Sequence, residues 1–372
     1  MKNESGPISY KNWIASNRDK EVFETLEYPL YSDIRITGEI TKGCGPYQLF
    51  NTIPIYRTQP IAPNLILRID NYLNYQHKIG KKTDTSTYHG SWIADEIAAL
   101  FSLNLGIRLK AGGITRVFAP DKDPKGEPRM HDMHLDPVLT KNLERRQIIL
   151  YADHSICIQD AKLVERYPDL SSTQAITLIK SARLYQDALW ISESQPAFSW
   201  LFFVSAIEIA ANHWQKNNAP SLERLKAEKP ELIELLEPFD PELPQKVANL
   251  IIDSIGSTKK FTDFIIHFLP DPPSQRPQNR DQIFWDEDNM TKYLKVIYRL
   301  RSEALHQGTP FPAPLCMAPY GPSNEVYIEK PTDTAMSTLG STWTAKDLPM
   351  YLHIFEYIVR GSLLKWWRSN LK

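Results

Sequence analysis

The spacing of apolar positions changes once along the chain, at about residues 160–170. Before that point the apolar runs are short and alternate with polar residues. Asp33-Ile-Arg-Ile-Thr-Gly-Glu-Ile40 sends polar and apolar side chains to opposite faces, the pattern of a half-buried strand. Tyr47 to Tyr56 and Asn64 to Ile69 are further strand candidates, bounded by Gly45-Pro46, Pro60 and Pro63. Trp92 to Leu103 switches to helical spacing, and Gly106 to Phe118 then reads as two strands about a Gly112-Gly113 turn. Arg146 to Tyr151 is a last short apolar run. Residues 1–30 carry no clear period, and Pro120 to Pro128 reads as a charged loop. This texture predicts an α+β amino-terminal domain over residues 1–160.

After Ser171 the period is helical. Ser171-Ser172-Thr173 offers a cap to a helix carrying Ile176, Ile179, Leu184, Ala188 and Leu189. Pro196 suits the first turn of the next helix, Ala197 to Gln215, which is apolar nearly all round. Such a helix belongs at the centre of a bundle. Shorter helices are expected over 222–229, 231–237, 245–254 and 259–268. A last amphipathic helix is expected from Lys346 to Trp367. Leu269 to Pro277 and Pro310 to Pro331 are proline-rich and read as irregular. Residues 161–372 therefore predict an all-α helical bundle.

One stretch in that bundle carries chemistry, Tyr293 to Gly308. Tyr293, Val296, Ile297, Leu300 and Ala304 form an apolar face, and Arg299, Arg301 and His306 follow near the end. Gly308 and Pro310 then stop the helix. The dipole at a helix carboxyl end favours a protonated imidazole, and arginine presents a fixed fork of donors to phosphate. A histidine can move protons near neutral pH, and a guanidinium can stabilise charge on a phosphorane. Five residues apart on a helix is about 140° of rotation, so one straight helix does not aim both side chains at one atom. Unwinding just before Gly308, or a second copy of the chain, would bring them together. Capping of the helix carbonyls is the plainer role for both residues.

Two further groups bear on this stretch. Arg299 and Glu303 stand at i and i+4 and are placed to pair on the surface. Glu208 interrupts the apolar helix, where an unpaired carboxylate would be costly. Arg301 or Arg299 would satisfy it. Asn212, one turn further on, falls on the same face.

The spacing resembles the signature of the HEPN superfamily, an arginine followed after four to six residues by a histidine. Arg301 and His306 fit with four residues between, and Arg299 and His306 with six. The resemblance covers about the last 200 residues and implies a HEPN-like bundle. It also implies a metal-independent endoribonuclease of the kind found in bacterial defence or toxin–antitoxin systems, acting as a homodimer. Arg301 and His306 would then be catalytic, with Arg299, Glu208, Asn212 and Ser302 supporting or binding phosphate. Ser302 departs from the Asn, Asp or His common after the arginine. A non-catalytic HEPN module that binds a nucleotide or a partner protein is the alternative. The first 160 residues would sense, recognise or restrain, and a regulatory partner protein fits that arrangement.

Composition narrows these readings. The net charge is -1, so any RNA contact must use a local patch rather than a global field. Three scattered cysteines give neither zinc spacing nor a disulfide framework. His131-Asp132-Met133-His134 has no partner cluster, so no metal or cofactor is expected. Gly80-Lys-Lys-Thr lacks the earlier glycine of a phosphate loop and reads as a turn. Trp366-Trp367 with Lys365, Arg368 and Lys372 reads as packing beside a solvated basic tail. The start has no apolar core of a signal peptide. The run Ala197 to Ala211 is too short to span a bilayer. A cytoplasmic protein without a membrane partner is expected.

Overall fold

The computed structural model describes residues 6–18, 21–52, 61–74, 92–119, 125–129, 147–149, 155–215, 220–251, 256–321, 326–331, 336–338 and 341–371. The sequence features at 80–83 and 131–134 lie outside them. A sheet occupies the amino-terminal region, and the remainder is mostly helical. No helix among the described residues is long and apolar enough to cross a membrane.

The first helix, α1 (Ile8–Ser16), leads into an antiparallel sheet built around β1 (Glu24–Ser32). β4 (Ala62–Asn71) pairs along one edge of β1, and β3 (Tyr47–Asn51) pairs outside β4. The other edge of β1 is shared. Its Leu30 and Tyr31 take β5 (Lys110–Ala111), while Thr25 to Glu27 take β6 (Arg116–Phe118). The expected hairpin about Gly112-Gly113 is thus corrected: β5 and β6 both pair with β1, and the Gly112 amide donates to Pro29. β7 (Glu127–Pro128) extends the sheet beyond β6, inside the stretch read as loop. The strand expected from Asp33 to Ile40 shrinks to β2 (Arg35–Thr37), which pairs in parallel with β8 (Ser155–Cys157).

Alternation along β4 puts Leu65, Leu67 and Ile69 fully inside, in one buried cluster with α2 (Ile93–Leu105). α2 is buried along almost its whole length, its polar Glu96, Ser102 and Asn104 included. One face meets the sheet, and the others meet α3 (Ser172–Ile191) and α10 (Leu352–Ser369). The boundary expected near residue 160 is therefore no break in packing. A single buried cluster runs from Trp13 through Phe101 and Tyr185 to Trp367. Arg108, 1% exposed, rivets the join: it donates to Asp33, to the Leu189 carbonyl, and to Ser192 and Glu193 after α3.

α3 opens on the Ser171 cap, with a reciprocal box to Gln174. α4 (Pro196–Gln215) lies back along it. Trp200 of α4 stacks between Phe311 and Phe355, and its indole N–H donates to the Leu315 carbonyl. α5 (Ser221–Glu228), α6 (Pro230–Leu236) and α7 (Leu243–Ile251) form a satellite around Leu225, Ile233 and Ala248. α8 (Ser257–His267) and α9 (Glu287–Gln307) return to α4. α10 begins six residues after the expected Lys346. Pro349 denies the donor that a helix through it would need, and Ala345–Asp347 makes only a short 3-10 turn.

Candidate functional site around Arg301

α9 starts on Asp286, whose carboxylate accepts from the Asn289 amide, and ends on Gly308. Gly308 adopts φ 69°, a left-handed conformation that L side chains avoid, and the Gly308 and Thr309 amides both return to the Glu303 carbonyl. The helix is regular through Gln307, so the unwinding considered at His306 does not occur. His306 stands exposed on the last turn, about 140° round the helix from Arg301.

Met290, Leu294, Ile297, Tyr298 and Leu300 are the buried residues of α9. Tyr298 and Arg301, three apart, share a face and turn toward α4. There Glu208 accepts from both: its Oε2 from Arg301 Nη2 at 2.6 Å, its Oε1 from the Tyr298 hydroxyl at 2.7 Å. The Arg301 and Glu208 side chains are each 18% exposed. The guanidinium also lies over the Tyr298 ring, 5.5 Å from its centroid. Burial, then the bond to Glu208 and its negative charge, push the Tyr298 phenol up to about 12. Phe261 of α8 packs on the same ring at 5.3 Å. Glu208 thus finds the arginine that an acid on an apolar helix requires.

The guanidinium is under-used. Arg301 Nε is buried without a partner, and among the described residues no bond beyond the Nη2 contact is made. Arg299 is different. Two residues before Arg301 it faces elsewhere, and it pairs with Glu303 at 2.8 Å and Asp347 at 3.1 Å. Asn212 is exposed on α4, and Ser302 is half-buried on α9; neither joins the Glu208 network. Tyr298 is the member that sequence reasoning passed over, although its spacing to Arg301 carries it.

Around this pair the surface is part apolar. Glu208 meets Tyr298 and Arg301, and two turns earlier Trp200 meets Phe311 and Leu315, so α4 and α9 run in opposite directions. Phe198, Leu201, Phe202, Ser205, Glu208 and Ile209 form a stripe of α4 left partly open. Phe198 is 53% exposed, and Leu305, one turn past Arg301, is 51% exposed. On another side of α9 a cavity of about 550 Å³ is lined by Arg280, Tyr293, Lys330 and Lys346, next in sequence to the Asp347 that holds Arg299. Comparison with family models, curated proteins and solved structures gave no match to this chain.

Proposed function

We propose that this protein is a HEPN-type endoribonuclease that cleaves RNA by transesterification without a metal ion. The observation that carries the reading is the Arg301 guanidinium, held by Glu208 over Tyr298 with most of its donors unspent, on a helix whose last turn exposes His306. In that reaction the ribose 2'-oxygen attacks phosphorus and the 5'-oxygen leaves. His306 handles the protons at these oxygens, and Arg301 meets the charge of the phosphorane. Glu208 positions the arginine.

Because Arg301 and His306 stand about 140° apart on one regular helix, this reading builds the complete site from two chains. The open stripe of α4 and Leu305 supply an apolar surface for a second copy, and two such copies would set two Arg–His pairs opposite each other. Arg280, Lys330 and Lys346, with Asp281 paired to Arg280 at 3.5 Å, give a cavity of net positive charge that could hold a phosphate backbone. The same rotation favours the second reading, a non-catalytic nucleotide- or protein-binding module, if the protein is a monomer.

Purified protein in EDTA should cut single-stranded RNA and leave 2',3'-cyclic phosphate ends. His306→Ala and Arg301→Ala should each abolish this while sedimentation still reports a dimer. A dimer that cuts nothing, or cleavage untouched by His306→Ala, overturns the reading.

A further inference from the structure

A second cavity, of about 270 Å³, lies against α10, away from the Arg301 pair. Its lining is largely apolar, with the rings of Pro273, Pro277, Tyr327 and Tyr357 among it. Two polar side chains reach it from the first turns of α10, His353 and Glu356, which three-residue spacing puts on one face. The adjacent Glu329 is already committed. It takes two bonds from Arg276, at 2.7 and 2.6 Å, and one from the Ile283 amide at 2.8 Å, so it stiffens the wall and has little capacity left for a ligand.

His353 is the unexplained group. Its Nδ1 is buried with no partner, and its ring makes no hydrogen bond among the described residues; it only stacks against Tyr351 at 6.2 Å. Burial pushes its pKa down to about 3, so the ring is neutral in ordinary solution and offers one N–H and one lone pair. Glu356 accepts the Tyr185 hydroxyl through Oε1. Burial raises its pKa, with the charge of Arg360 pulling the other way. His353 Nδ1 itself has no open surface, so a ligand in the cavity would meet the rest of the ring, which has no hydrogen-bond partner among the described residues to give up.

The lining excludes some ligands. No lysine or arginine lines the cavity among the described residues, and two carboxyl groups do, so a phosphate is disfavoured. Glu329, His353 and Glu356 do not form a group able to hold a metal ion. The volume lies just under the usual range for ligand sites, about 300–1,000 Å³, which suits a single ring system rather than a whole nucleotide. Tyrosine and proline rings, with acceptors on one face of α10, fit a planar heterocycle with N–H groups along one edge. We propose that this cavity binds a nucleobase, its ring between the tyrosine and proline walls and its amino edge on Glu356 and His353. The inference does not rest on nuclease activity, since a free nucleoside and a base in an RNA strand present the same edge.

The test is a titration of the full-length protein, labelled with ¹⁵N-histidine, by guanosine, adenosine, cytidine and uridine, and by a short single-stranded RNA. The His353 ring nitrogens should shift at millimolar concentrations of the amino-bearing nucleosides and less with uridine. Glu356→Gln and Tyr357→Ala should each weaken the response about tenfold, a loss of about 1.4 kcal/mol. Tyr357→Ala removes only a wall, so it serves if the Glu356 variant fails to fold. A response to RNA alone assigns the base to a strand, and a response to nucleosides alone assigns it to a free ligand. The proposal is overturned if no probe moves His353, if inorganic phosphate moves it equally, or if uridine binds as well as the others.

Discussion

Arg108 and Arg301 each meet a carboxylate brought from elsewhere in the chain, yet they are opposite cases. Arg108 is enclosed and spends its donors on two acids, a carbonyl and a hydroxyl. Arg301 keeps a partly open side chain and gives one bond to Glu208. A saturated, enclosed guanidinium has nothing left to offer a ligand and is a structural rivet. One held by a single acid over an aromatic ring is oriented but unspent. The difference lies in the count of donors used and the access left, not in residue type.

The largest effect should come from breaking the rivet. Arg108→Leu leaves Asp33, already short of a partner at Oδ1, as an unpaired buried charge, and should cost about 3–5 kcal/mol in urea denaturation. If Arg301→Leu costs as much, the contrast between the two arginines fails.

Another buried acid sharpens the comparison because amides hold it in place of an ion pair. Glu96 accepts from the Ser9 amide at 2.8 Å at the start of α1, and burial raises it to about 7 from 4.5. The folded state therefore binds its proton more tightly than the unfolded chain does. That stability is fully present below pH 4.5 and is lost as pH rises through about 7. The loss should be on the order of 3 kcal/mol, and in Glu96→Gln the slope across this window should flatten. Equal slopes in the two proteins would show that Glu96 is not the group responsible.

The smallest effects belong to the α9 surface. Glu208→Gln should cost only about 1–2 kcal/mol. It should also lower the Tyr298 phenol from about 12, read from the ¹³Cζ shift of that ring. Arg299→Ala should stay within about 1 kcal/mol, as exposed pairs do.

Local rules made much of this legible in the sequence. The Ser171 cap, Pro196, the stop at Gly308 and the Arg299–Glu303 pair all rest on residues within a turn or so of each other. Glu208 was readable too, since a lone acid on an apolar helix demands a cation. Features that depend on distant residues were not. Arg108 and Asp33 are 75 positions apart. α1 has too weak a period to announce itself, and its amino end is held by Glu96, 87 positions on from Ser9. His353 and Glu356 look like ordinary members of an amphipathic helix until the segments at 273–277 and 326–329 close a cavity over them. The α2 spacing shows a helix but not that α3 and α10 also pack on it.

Arg360 of α10 donates to the carbonyls of Leu103 and Asn104 at the end of α2, across 257 and 256 residues. During synthesis the amino-terminal sheet leaves the ribosome long before the helix that closes the far side of α2. Until then an apolar helix has one face unpaired, the kind of exposed surface that chaperones bind. Closing that side of α2 must therefore wait until α10 has been made. A stop codon anywhere before α10 would strip the amino-terminal half of its cover as well as removing the helix itself.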